Sequence, residues 1–161
     1  MSLSPKPASE SATEMVEVVL PNDANPMGFM LGGAVMHLID LAGAIAAFRH
    51  AREPVVTAAV DGLEFINPIR VGDFIVLKAR VTAAFTTSLE VEVTVYSEGA
   101  LTGRRQMTSR AHLTFVTLER DGVRAKIPPL LVGTEEEKQV QDAARARRDA
   151  HLARRARSVD R

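Results

Sequence analysis

The chain has 161 residues, no cysteine, and 20 basic against 20 acidic side chains, so its formal net charge is zero. That length suits one domain of ordinary size with a real core. The charge balance gives no overall field toward nucleic acid or an anionic membrane, and the missing thiol excludes disulfides, thiolate metal ligands and a cysteine nucleophile.

Residues 1–12 are rich in Ser, Pro, Ala and Glu, lack hydrophobic periodicity, and read as a disordered tail. The N-terminus shows no basic stretch leading into an apolar one. No uncharged apolar run approaches the ~20 residues that cross a bilayer, so a soluble, cytoplasmic protein without a membrane partner is expected. Glu14–Leu20 alternates partly between apolar and polar residues, which predicts a strand ended by Pro21 and the turn formers Asn22 and Asp23.

Asn25-Pro-Met-Gly28-Phe-Met-Leu-Gly32-Gly33 comes next, leading into an almost wholly apolar run that predicts a helix to about Arg49, interrupted only by His37 and Asp40. A helix apolar on all faces must be wrapped by the rest of its fold. Asp40, two turns inside and enclosed by Met36, Leu41, Ala44 and Ala47, is therefore expected to be buried. An unpaired buried carboxylate costs several kcal/mol, so it requires a partner or a chemical role. His37, one turn earlier, is expected to be a hydrogen-bonded core histidine.

Pro54 breaks the pattern, and the chain beyond it reads as β. Val55–Ile66 predicts a long strand bulged at Gly62 and closed by Asn67-Pro68; Phe74–Ala84 predicts the next. Ser88–Tyr96 alternates strictly, with Leu89, Val91, Val93 and Val95 opposite Glu90, Glu92 and Thr94. Gln106–Leu118 gives the last long strand, turned by Asp121-Gly122. Five strands with hairpin-length connections imply an antiparallel sheet, and one long helix lying against it buries both.

Thr134-Glu-Glu-Glu137 reads as a capping box that opens a helix to about Arg157. Only Val140 and Leu152 in it are large and apolar, so it is expected outside the core. Residues 138–161 hold eight basic and three acidic side chains. Without aromatic companions these arginines do not suggest nucleic acid.

The ordered set Asn25-x-x-Gly28-x-x-x-Gly32-Gly33, Asp40-x-Ala42-Gly43, Val55-Val-Thr-Ala-Ala-Val-Asp61, Phe65-x-x-Pro68-Ile-x-Val71-Gly72-Asp73 and Thr87–Val93 resembles the acyl-CoA thioesterases of the hotdog fold. Within them the likeness is to the branch of bacterial hexameric enzymes and the two-domain animal brain enzyme. The resemblance implies an α+β fold, a central helix wrapped by a curved antiparallel sheet of five or six strands, in a domain spanning 13–132; the basic C-terminal helix read over 133–161 lies outside the shared region, and nothing about it carries over. It also implies a dimer joined sheet edge to edge, assembled further as a trimer of dimers, with Asp40 and Asn25 matching the catalytic acid and its assisting amide.

Thioester hydrolysis needs an activated water and a stabiliser for the developing oxyanion. Asp40 suits a general base or a nucleophile, and the backbone N–H groups of Gly32 and Gly33 at a helix start suit an oxyanion hole. Asn25, kept out of helix by Pro26, suits positioning water or carbonyl. Seven residues of helix span ~10 Å, so one carbonyl cannot touch both Gly33 and Asp40 of the same helix; an oppositely running helix of a second subunit brings them together. Thr86, Thr87 and Ser88 are candidates for the coenzyme A phosphates, with Arg80 or the tail arginines adding charge. No metal or cofactor is expected, coenzyme A being part of substrate and product. The alternative function is a non-catalytic acyl-CoA sensor using the same pocket.

Overall fold

A computed structural model describes residues 3–160 of the chain. In chain order its elements are β1 (Lys6–Pro7), β2 (Thr13–Val18), α1 (Gly32–Ala51), β3 (Val55–Phe65), β4 (Phe74–Ala84), β5 (Ser88–Glu98), β6 (Arg105–Thr117), β7 (Glu119–Arg120), β8 (Val123–Arg124), β9 (Leu130–Leu131) and α2 (Glu135–Val159). The five long strands form one antiparallel sheet in the order β2-β4-β5-β6-β3, which leaves β2 and β3 at its edges. This is the hotdog fold, with α1 against the inner face of the sheet.

Alternation sorts each strand between two faces. Ile75, Leu77, Ala79 and Val81 of β4, Leu89, Val91, Val93 and Val95 of β5, and Ala111, Leu113 and Phe115 of β6 are all buried in the core. Against them α1 sets mostly small side chains, Ala42, Gly43, Ala46 and Ala47 with Val35, Leu38 and Ile39, so helix and sheet approach closely. At Gly43 a Cβ would stand 3.3 Å from the Phe115 ring, so only glycine leaves that ring its full space. The bulge expected at Gly62 is present: its φ is +65°, and the β3–β6 register shifts between Asp61 and Glu64.

The expectation of a helix covered on every side is corrected. One sheet covers only the side of α1 that carries the small residues. Met36, Leu41, Ile45 and Phe48 remain 37–47% exposed on the other side, because a single chain has nothing left to lay over them. Although α1 is long and apolar enough to cross a membrane, here it packs on the sheet. His37 is likewise exposed rather than a core residue. The buried histidine is His50 at the end of α1, whose Nε2 lies 2.8 Å from Pro128 O. Burial holds its pKa below the ordinary value.

The tail expected over 1–12 is also corrected within the described residues; residues 1 and 2 lie outside them. β1 pairs in parallel with β9, Lys6 N donates to Pro129 O at 2.9 Å, and Lys6 Nζ donates to His50 O at 2.9 Å. Backbone pairing, invisible to hydrophobic pattern, orders this stretch, and Ser11 and Thr13 are buried.

α2 begins as the capping box predicts. Glu137 N donates to Thr134 Oγ1 at 3.1 Å, while the Glu137 carboxylate accepts from Gly133 N at 2.8 Å, one residue before the expected reciprocal partner. The helix lies on the outer face of the sheet and adds only Ala144 to the buried residues. Arg147 holds the buried Glu90 of β5 with two hydrogen bonds of 2.8 and 3.0 Å. Nearby on that face, Glu92 takes His112 Nε2 at 3.1 Å and Arg80 at 3.2 Å.

Two outcomes are expected from this packing. Phe115→Ala opens a cavity beside Gly43 and should cost about 3–5 kcal/mol in denaturant unfolding. The His112 hydrogen bond brings the Glu92 carboxyl from 4.5 down to about 2. A carboxylate depressed by folding stabilises the fold above its unfolded pKa, and that contribution is lost as pH falls from about 4.5 to about 2. Thermal melts across this window should therefore drop less for Glu92→Gln than for the parent.

Candidate active site

Two groups of candidate residues stand apart in one chain. The first surrounds the start of α1. Asn25 Oδ1 accepts from Met27 N at 3.0 Å and Phe29 N at 3.1 Å, and Asn25 N donates to Phe29 O at 2.8 Å, closing a tight loop in which Gly28 takes φ +83°. Met30 N to Ile69 O and Val71 N to Gly28 O pin this loop to the stretch before β4. With its oxygen doubly occupied, Asn25 offers its amide Nδ2 hydrogens as free donors.

Leu31 precedes α1 without a side-chain cap, and Val35 N makes the first helical bond, to Leu31 O at 3.1 Å. The N–H groups of Gly32, Gly33 and Ala34 find no acceptor among the described residues, and the helix dipole adds to their attraction for negative charge. The two glycines differ in surroundings. A Cβ at Gly32 would lie 3.3 Å from the Phe65 ring, whereas Gly33 faces open space. Beside them is a cavity of about 390 Å³ lined by Asn25, Gly32 and the apolar Phe29, Met30, Val35 and Phe65. Such a chamber of apolar walls with a few donors fits an acyl group with its carbonyl at the helix start.

The second group lies two turns along α1. Thr57 Oγ1 of β3 donates to Asp40 Oδ1 at 2.6 Å. The expected burial of Asp40 is corrected: the carboxylate is on the uncovered side of α1, open to solvent in one chain, with the apolar Met36, Leu41 and Ile45 exposed near it. Thr57 takes one carboxylate oxygen and leaves Oδ2 for another donor. Sequence reasoning missed Thr57, which carries no local signal in Val55-Val-Thr-Ala-Ala; only the docking of β3 beside α1 reveals it.

Thr86, Thr87 and Ser88 are not in either group. The carbonyls of Thr86 and Thr87 accept from Ile127 N and Thr117 N, but their three hydroxyls donate to nothing among the described residues. Ser88 opposes Val116 on β6, which opposes Val56 on β3, so it sits two strand spacings, about 10 Å, from the strand bearing Thr57. Its side chain lies on the outer face. Arg80 is engaged with Glu92.

Residues 27–104 match the Thioesterase superfamily. An uncharacterized acyl-CoA thioester hydrolase of Bacillus subtilis is 36% identical over 135 residues, 84% of this chain and 78% of that protein. An acyl-CoA hydrolase from Staphylococcus aureus, solved with butyryl coenzyme A, coenzyme A and coenzyme A disulfide, aligns with a TM-score of 0.86 at 34% identity, covering 96% of this chain and 94% of its own. Variants of that enzyme with one Asp, one Asn or one Thr changed to Ala have also been solved, and those three residues have the same mutual spacing as Asp40, Asn25 and Thr57. A hexameric acyl-CoA thioesterase aligns with a TM-score of 0.88 at 37% identity over 96% of this chain and 99% of its own. The chain belongs to the hotdog-fold acyl-CoA thioester hydrolases of the Thioesterase superfamily.

Proposed function

We propose that this chain hydrolyses acyl-CoA thioesters at a site completed by two copies, Asp40 and Thr57 coming from one and Asn25, Gly32 and Gly33 from the other. The observation that carries this is the placement of the two groups along β3. Thr57 is near one end of this edge strand, and Phe65, packed on Gly32, is at the other. A twofold axis through the middle of β3 pairs the strand with its own copy in reverse and sets each Thr57 near the partner's Phe65 end. Such pairing also satisfies a long exposed edge and covers Val56 and Val60. The apolar side of α1 is covered in the same step. That the S. aureus enzyme has its Asp, Asn and Thr at matching spacing supports the same three residues here.

In this arrangement Asp40 acts as general base. Thr57 orients the carboxylate through Oδ1, and the other oxygen takes a proton from water as its oxygen attacks the thioester carbonyl. The resulting oxyanion accepts from the N–H groups of Gly32 and Gly33, with an Asn25 amide hydrogen as an added donor. Collapse breaks the C–S bond, and the proton held by Asp40 passes to the departing coenzyme A sulfur. The products are the free acid and coenzyme A, and the chain needs no cofactor for these steps. Hydroxyls of Thr86, Thr87 and Ser88 contact the coenzyme A part of the substrate. Dimers associate further as a trimer of dimers, in line with the hexameric relative.

Asp40→Asn keeps the shape and the Thr57 contact but removes the base, so kcat should fall by ~10²–10⁴-fold while coenzyme A still binds. Asn25→Ala and Thr57→Val should each slow turnover less. Near-normal hydrolysis of a panel of acyl-CoAs by Asp40→Asn, followed by thiol release, would make the carboxylate structural and sink this mechanism.

Sharing of the site has its own test. In a mixed dimer of Asp40→Asn and Asn25→Ala chains, one of the two shared sites is intact, whereas sites confined to one chain would all stay defective. Co-expressed and co-purified variants should therefore exceed the mean activity of the two variants measured separately, and activity equal to or below that mean would show that each chain carries a whole site.

A further inference from the structure

The arginines of α2 divide into two sets. Arg147 and Arg154 meet carboxylates of the sheet, Glu90 at 2.8 Å and Asp61 at 3.6 Å. Arg148 and Arg155 have no carboxylate partner among the described residues. With His151 between them they recur at three- and four-residue intervals on one face of the helix. That face looks into a cavity of about 600 Å³ between α2 and the outer side of the sheet, to which Arg124 of β8 also contributes.

The charge of this cavity is settled by pairing. Its two acidic wall residues, Asp61 and Glu90, are the ones held by Arg154 and Arg147, so Arg124, Arg148 and Arg155 are left uncompensated. The Arg148 guanidinium lies 4.4 Å over the Phe85 ring. Stacking fixes the plane of a guanidinium while its in-plane N–H groups remain free to fork onto phosphate oxygens. Ser88, whose hydroxyl has no partner among the described residues, lines the same space. The volume falls in the range of small-molecule sites.

We infer that the cavity between α2 and the sheet is a binding site for the phosphates of a nucleotide, held by Arg124, Arg148 and Arg155. Phe85 and the apolar sheet surface beside them take the uncharged part of the ligand. Two sources share this chemistry. One is the nucleotide end of the acyl-CoA itself, which rests on the function proposed above and on the short distance from Ser88 to the strand bearing Thr57. The other is a free nucleotide.

The test titrates ADP into the full-length protein by calorimetry and repeats it with Arg148→Gln, Arg155→Gln, the double variant and an Arg145→Gln control, each checked for folding by circular dichroism. Arg145 is exposed on α2 and does not line the cavity. The parent should bind ADP in a salt-sensitive manner, and the double variant should bind about tenfold or more weakly, the loss expected for one or two charge-assisted hydrogen bonds. The control should bind as the parent does. KM for butyryl-CoA and for butyryl-pantetheine, which has no nucleotide, then separates the sources. A rise of about tenfold confined to butyryl-CoA assigns the site to the substrate's own nucleotide. ADP binding lost with no change in KM assigns it to a free nucleotide. No ADP binding by the parent together with unchanged KM in the double variant, or an equal loss in Arg145→Gln, would overturn the site. Absence of hydrolysis with both thioesters would refute the proposed function, while the ADP titration would still judge the cavity.

Discussion

α1 is apolar on two sides, and one sheet covers one of them. The rest of the structure depends on how the sequence fills these two sides. Ala42, Gly43, Ala46 and Ala47 face the sheet, where close approach lets Phe115 and Leu113 fill the space a larger helix residue would need. Met36, Leu41, Ile45 and Phe48 face outward. Large apolar residues gathered on the uncovered side of a helix are costly in water, and this surface and the unpaired edge β3 beside it are the ones that the proposed second copy would cover. Asp40 lies within that surface. A second copy would enclose the carboxylate, and one of its oxygens is already held by Thr57.

Much of this was legible in the sequence where the signal is local and periodic. Strict alternation over Ser88–Tyr96 located β5 and its buried face, and Pro54 located the end of α1, which closes at Arg52 with φ +52°. Gly62 marked the bulge in β3, and Thr134 marked the start of α2. The helix itself was found, but not its orientation. Nearly every residue of Gly32–Ala51 is apolar, so no periodicity distinguishes the side covered by its own sheet from the uncovered side.

The illegible parts depended on pairing between distant segments. β1 and β9 are two residues each, in proline-rich surroundings, and their parallel pairing is specified by backbone groups that hydropathy does not report. Thr57 was missed for a related reason. Its role comes from the position of β3 beside α1, 17 residues away in sequence from the carboxylate it bonds. The loop around Asn25 was equally hidden, because the two backbone donors that occupy its oxygen come from a turn closed by Gly28 and pinned by Ile69, none of which a residue type reveals. Burial of Asp40 was inferred from a helix assumed to be fully wrapped, and the single chain leaves it exposed.

The positive charge of the C-terminal segment illustrates how pairing changes the meaning of composition. Counted along the sequence, its arginines form one undifferentiated surplus. In three dimensions the surplus is sorted by helical phase. Arg147 grips Glu90, a carboxylate that is buried and also accepts from Thr82 at 2.7 Å, and so fixes the angle and height of α2 on the sheet. Neutralised in this way, Glu90 no longer opposes an anion nearby. Arg148, one residue on, is turned to the neighbouring face and meets Phe85 rather than an acid. The ion pairs that dock α2 therefore also remove the negative charge from the cavity beneath it, and a helix that adds almost nothing to the core gains a defined place from which its remaining arginines converge.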